Sequence, residues 1–230
     1  MRNLKVVLPL ALLAASSAAA FAGPVVLNMS GLQDQEAILN YFNGGLGGNG
    51  SGPGPADGIV FSSNSLAVIS ESQGGTGNFD NNPSGGPIAF FLSGAADTMN
   101  VAAGFTTGFS FFYSATEAGS VTVWSGENGT GTELADIALN ANTPGAGCPA
   151  GDAFGYCEWD SVGVNFSGTA ESVNFGGSAN LIGFDEITVG SQSAGGGPSP
   201  VVPEPSSLFL LGTGLIGFAG SIGRRFARKA

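Results

Sequence analysis

Gly104-Phe-Thr-Thr-Gly-Phe-Ser-Phe-Phe-Tyr-Ser114, followed by Ser120-Val-Thr-Val-Trp-Ser125, Asn128-Gly129 and Thr132-Glu-Leu-Ala-Asp-Ile-Ala-Leu-Asn140, is the stretch whose reading decides the fold. Phe109, Phe111 and Tyr113 recur with period two, as do Val162, Val164 and Phe166. That is the period of a strand with one buried and one solvated face. Asn128-Gly129 between two such runs marks a hairpin, because a type I′ turn needs positive φ at both central positions. Outward from this hairpin, short apolar runs separated by Gly, Asn, Asp and Pro predict strands near 25–29, 58–62, 65–70, 88–92, 98–102, 107–113, 120–125, 133–139, 161–166, 171–175 and 181–189. The expected class is all-β, an antiparallel sandwich over residues 23–189. One short N-terminal helix is expected over 34–42. Asp34 and Glu36 supply acids for its first turn, Ala37, Ile38, Tyr41 and Phe42 recur at helical spacing, and Asn43-Gly44-Gly45 stops it. No repeat with a period of 20–50 residues is visible, which disfavours solenoids and propellers.

The last strand has a parity break. Ile182 and Phe184 share one face, whereas Ile187 and Val189 share the other. A bulge at Asp185-Glu186 would return both pairs to the core and re-aim a carboxylate.

The distribution of charge narrows function. The 230 residues carry a formal net charge of −11, and all six basic residues lie at the ends: Arg2, Lys5, Arg224, Arg225, Arg228 and Lys229. Sixteen of the 17 acids fall between Gly23 and Pro203, where there is no Lys, Arg or His. Nucleic-acid binding is therefore excluded, as are histidine acid/base chemistry and nucleophilic triads. Carboxylates crowded without counter-ions repel one another unless N–H groups, solvent or a cation offsets the field, and oxygen-rich ligands favour a structural calcium ion.

Both ends read as sorting segments. Residues 1–22 join a basic start, an apolar run from Val6 to Ala15, and small residues at Ala20 and Ala22, as in a signal peptide for signal peptidase. Residues 190–202, GSQSAGGGPSPVV, read as a flexible linker. Residues 203–230 begin with Pro203-Glu204-Pro205. They continue through the uncharged stretch 206–223 and end in Arg224, Arg225, Arg228 and Lys229. Eighteen residues of helix span about 27 Å, enough for a transmembrane helix with its cations on the cytoplasmic side.

The tail VPEPSSLFLLGTGLIGFAGSIGRRFARKA resembles a PEP-CTERM sorting signal. The resemblance implies processing by an exosortase near Pro203-Glu204-Pro205. It also implies an inner-membrane intermediate, and a cell-surface or matrix destination in a bacterium that has an outer membrane and makes exopolysaccharide or biofilm.

Cys148 and Cys157 bracket CPAGDAFGYC in the exported region, where an oxidising compartment favours a local disulfide. GFTTGFSFFYS, VTVWSGENGTGTELADIAL, VGVNFSGTAESVNFGG and GFDEITVG are similar to the exported domains that precede such tails. They also resemble, more loosely, jelly-roll carbohydrate-binding modules. That second resemblance implies a structural calcium on an Asp of the last strand, here Asp185. Asp34 and Glu36, on an N-terminal segment able to neighbour that strand, are the other candidate ligands. Trp159 and Tyr156, beside the cysteine loop, are candidate glycan contacts, since such rings offer an apolar face and a polar edge. The function expected is non-enzymatic association of a sorted surface protein with extracellular polysaccharide. The alternative is a carboxylate-dependent glycoside hydrolase or lyase, with Glu158 and Asp160 beside Trp159 as its carboxylates.

Overall fold

The computed structural model describes residues 23–143 and 155–196. The described chain is an antiparallel two-sheet sandwich of twelve strands: β1 (Val25–Leu27), β2 (Glu36–Ala37), β3 (Ile59–Phe61), β4 (Ser65–Val68), β5 (Ile88–Phe91), β6 (Ala96–Phe105), β7 (Phe109–Ala115), β8 (Gly119–Gly126), β9 (Thr130–Leu139), β10 (Asp160–Val164), β11 (Ala170–Gly176) and β12 (Ile182–Val189). One sheet runs β10-β7-β12-β5-β4-β2, with β1 also paired to β12, and the other runs β3-β6-β11-β8-β9. Each strand expected from the sequence has its counterpart. The Asn128-Gly129 turn joins β8 to β9 with φ of 58° and 66°, as a type I′ turn requires.

Between the sheets lies a core rich in phenylalanine. Phe109, Phe111, Phe175 and Phe184 meet edge to face, with the Phe175 and Phe184 ring centroids 4.9 Å apart. Aromatic quadrupoles favour such tilted contacts over flat stacking. Burying Phe side chains contributes about 1.5–3 kcal/mol each, which suits a domain without internal ion pairs.

The parity break in β12 is resolved by a bulge. The register with β7 shifts between Asp185 and Thr188, Glu186 adopts φ of 44°, and Ile182, Phe184, Ile187 and Val189 are all buried. β5 pairs with β12 at Phe184, and β1 takes over the same edge at Ile187–Val189.

The helix expected over 34–42 does not form. Gln35 and Leu39 have left-handed φ of 54° and 48°, which interrupts any helical run, and Glu36–Ala37 pair with β4 as β2. Glu36 points inward and is caged by N–H groups instead of lying on a solvated helix face. Nine residues make a helix too short to stand on local propensity, so side-chain burial and the Glu36 hydrogen bonds decide the path. Ile38, Tyr41 and Phe42 reach the main core from consecutive turns.

The signal segment 1–22, Cys148, the sorting motif Pro203-Glu204-Pro205, the apolar stretch 206–223 and the basic tail Arg224, Arg225, Arg228 and Lys229 lie outside the described residues. No helix among the described residues is long and apolar enough to cross a membrane. The linker expected from 190 starts against the sheet. The Ser191 carbonyl accepts from Ser110 Oγ at 2.9 Å, Thr107 Oγ1 donates to the Gly190 carbonyl at 2.8 Å, and Gly195 N donates to Thr188 Oγ1 at 3.2 Å.

Candidate functional site

The centre of the larger sheet is apolar on both faces. Along β5, Ala89 and Phe91 join the main core, while Ile88 and Phe90 point to the outer face and form a second cluster with Val68 and Phe79. An outward apolar face of this kind needs a cover. The loop from Ile69 to Gly86 crosses it and supplies part of that cover. What stays open is a cleft of about 350 Å³, floored by Val68, Phe79, Ile88, Phe90 and Ile182. Its rim carries Gln35, Thr76, Asn78, Asn180 and the phenol of Tyr156, and Leu92, half exposed, stands at its mouth.

The crossing loop is held from several sides. Asp34 Oδ1 accepts from Ile69 N at 2.8 Å and its Oδ2 from Thr76 Oγ1 at 2.7 Å; Gln35 Nε2 also donates to Thr76 Oγ1 at 2.7 Å. Ser70 Oγ donates to the Phe79 carbonyl at 2.6 Å. The re-aimed carboxylate of Asp185, itself buried, takes Asn82 Nδ2 at 2.9 Å and Ser84 N at 2.8 Å on Oδ2, and Glu186 N at 2.8 Å on Oδ1. Through Asp185 the β12 bulge thus anchors the far end of the loop at Asn82 and Ser84.

The expected metal ligands are therefore kept apart by separate partners. Glu36 serves a third place: its Oε2 accepts from Gln33 N at 2.7 Å and its Oε1 from Asn49 N at 2.8 Å and Ser51 N at 3.1 Å. Burial alone would raise its pKa. Hydrogen bonds from the Ser51 side chain and from the backbone of Gln33, Ser51 and Asn49 outweigh that and hold the carboxyl below its ordinary value. Among the described residues no three His, Cys, Asp or Glu side chains gather into a metal-binding group.

The two expected glycan contacts separate. Tyr156 lines the cleft, its hydroxyl 3.1 Å from Thr116 Oγ1 and donating to the Asn180 carbonyl at 3.1 Å. Trp159 buttresses the wall from behind: its ring meets Phe79 edge to face at 6.2 Å, and its Nε1 donates to the Asp80 carbonyl at 2.9 Å. Gly183 leaves room for the Ile88 side chain beside it, since a Cβ there would lie 2.7 Å from Ile88 Cδ1. Cys157, next to these residues, is buried and is not a free thiol. Asp160 lies on the edge strand β10 and accepts from Asn142 Nδ2 at 3.1 Å. Sequence reading missed the cleft floor. Its signal was the unbroken run Ile88-Ala-Phe-Phe-Leu92, which fits a strand buried on both faces and not one that alternates.

Residues 201–225 match the family described as the PEP-CTERM protein-sorting motif. The chain thus carries a sorting signal that implies export and a membrane-held sorting intermediate. No curated protein matches the chain in sequence. Solved structures similar to it include a family 6 carbohydrate-binding module, at 17% identity over 57% of this chain and 85% of that one, TM-score 0.36. Another is the K2 cleaved adhesin domain of Lys-gingipain, at 12% identity over 72% of this chain and 98% of that one, TM-score 0.44. A third is a glycoside hydrolase family 43 arabinoxylan arabinofuranohydrolase from Bacillus subtilis, at 17% identity over 55% of this chain and 24% of that one, TM-score 0.36.

Proposed function

We propose that this chain is an exosortase-processed surface or matrix protein whose sandwich domain binds extracellular polysaccharide in the cleft between the Ile69–Gly86 loop and the outer face of β5. The observation that carries the reading is the make-up of the cleft on an exported chain: an apolar, partly aromatic floor under a rim of amides and hydroxyls. Sugar rings present the matching chemistry, with apolar C–H faces and edges of hydroxyls that both donate and accept.

Binding without turnover fits the cleft better than glycoside hydrolysis or lyase chemistry. Hydrolysis of a glycosidic bond needs two carboxyl groups flanking it. None of the described residues lining this cleft is a carboxylate, and Glu158 and Asp160 are not among them.

Matrix polysaccharide isolated from the host and cast into a native gel tests the proposal. The wild-type chain should be retarded, and Tyr156→Ala combined with Asn180→Ala, both on the rim, should restore free migration. Appearance of new reducing or unsaturated ends during incubation would support the enzymatic alternative, and unretarded wild-type protein would remove the glycan reading.

A further inference from the structure

We infer that the ligand of this cleft is an uncharged saccharide segment, and that acidic polysaccharides are excluded from it. The inference rests on the glycan reading above and adds the chemical class. Three observations carry it.

The first is the lining. Its polar members are the carboxamides of Gln35, Asn78 and Asn180 and the hydroxyls of Thr76 and Tyr156. No Asp, Glu, Lys or Arg is among the described residues that line it. Carboxamides and hydroxyls each donate and accept, as sugar hydroxyls do, whereas uronate and sulfate groups are recognised by Arg forks or Lys ammonium groups.

The second is the field around the cleft. From Gly23 to Pro203 the chain has sixteen carboxylates and no basic side chain. A polyanion approaching the cleft meets repulsion within a Debye length, roughly 8 Å at physiological salt, and finds no cation lining its path. Uncharged chains pay neither penalty.

The third is how two carboxylates of the surrounding wall are used. Both oxygens of Asp34 accept from Ile69 N and Thr76 Oγ1, and both oxygens of Asp185 accept from Asn82, Ser84 and Glu186. These acids shape the wall from behind it. Neither of them lines the cleft. At about 350 Å³ the cleft sits at the small end of ligand sites, which run from about 300 to 1,000 Å³, and so suits a short segment or chain end.

The test uses the processed surface form, from near Gly23 to near Pro205 and so without the basic ends, and a panel of hexasaccharides of glucose, mannose, galactose and xylose, set against oligouronates and sulfated oligosaccharides of the same length. Binding is read by titration calorimetry at low and physiological salt. At least one neutral oligosaccharide should bind about tenfold or more tightly than every anionic one. Asn78→Lys, on the exposed rim, should narrow that gap by admitting the oligouronates at low salt. Oligouronates or sulfated chains that bind the wild-type protein as tightly as neutral ones overturn the charge inference and leave the glycan reading standing. An Asn78→Lys chain that binds neutral and anionic probes just as wild type does also overturns it, since the rim would then not face the ligand. If no saccharide binds, the glycan reading itself falls and takes the inference with it.

Discussion

Asp97 is the acid whose ionisation the fold opposes most. It lies on β6, 1% exposed, and its Oδ1 has no hydrogen-bond partner among the described residues. Burial pushes its pKa from 3.8 up to about 7, against the opposing pull of hydrogen bonds from the Ser65 side chain and its own backbone. Below pH 3.8 the group is protonated both folded and unfolded. Between 3.8 and about 7 only the folded chain keeps the proton, so stability falls as pH rises through that window. The shift corresponds to roughly 4 kcal/mol at full extent. Glu36 acts in the opposite direction: its lowered pKa stabilises the fold above the ordinary 4.5, and that contribution is lost as pH drops. Denaturant melts from pH 4 to 8 should show declining stability for wild type and a flatter profile for Asp97→Asn. At Asp185, Asp185→Asn should cost about 1–3 kcal/mol by weakening the bonds to Asn82 and Ser84. The same variant tests the calcium expectation. A rise in melting temperature with calcium that exceeds sodium at matched ionic strength, and disappears in Asp185→Asn, supports a site there. Equal rises in both salts remove it.

At the scale of elements, the Cys148–Cys157 bridge remains a proposal with a direct check. The segment leading out of Cys157 sets Trp159 behind the cleft wall, so the bridge should matter to the site as well as to the fold. Alkylation of the unreduced chain should label neither thiol, and reduction should lower stability by about 2–3 kcal/mol. Strands were legible in the sequence because period two and the Asn128-Gly129 turn are local signals. So was the bulge, because Ile182, Phe184, Ile187 and Val189 cannot share a face without it. The 34–42 segment misled because its apolar spacing suits a helix and a chain of turns equally. What separates the two is the reach of Glu36 to Asn49 and Ser51, a contact across more than a dozen residues that no local pattern contains. Asp34, Asp185 and Trp159 were legible as candidate site residues, but the contacts they make were not. Each holds the Ile69–Gly86 loop, and that loop's crossing of the sheet is set by tertiary packing.

For the whole molecule, the signal segment 1–22 and the sorting motif each predict one cut. The surface form should begin near Gly23 and lack the residues after about Pro205, and intact-mass spectrometry of cell-surface material checks both. Retention of Arg228 and Lys229 on that material would contradict exosortase release.

The two ends of the described domain also meet. Pro24 lies against Gly190, and Gly196 lies beside Val26, at the Val189 end of β12; Ile182 and Gly183, at the other end of the same strand, line the cleft. That strand spans at most about 25 Å and is bent at the Asp185-Glu186 bulge. On the proposed glycan reading, tension between a polymer in the cleft and the chain leaving at Gly190 would pass in part along this strand. Its neighbours β7, β5 and β1 are bonded at right angles to the pull, so their hydrogen bonds are loaded together in shear and not peeled one by one. The same strand thus links the proposed cleft at Ile182 and Gly183 to the point where the chain leaves the domain after Val189.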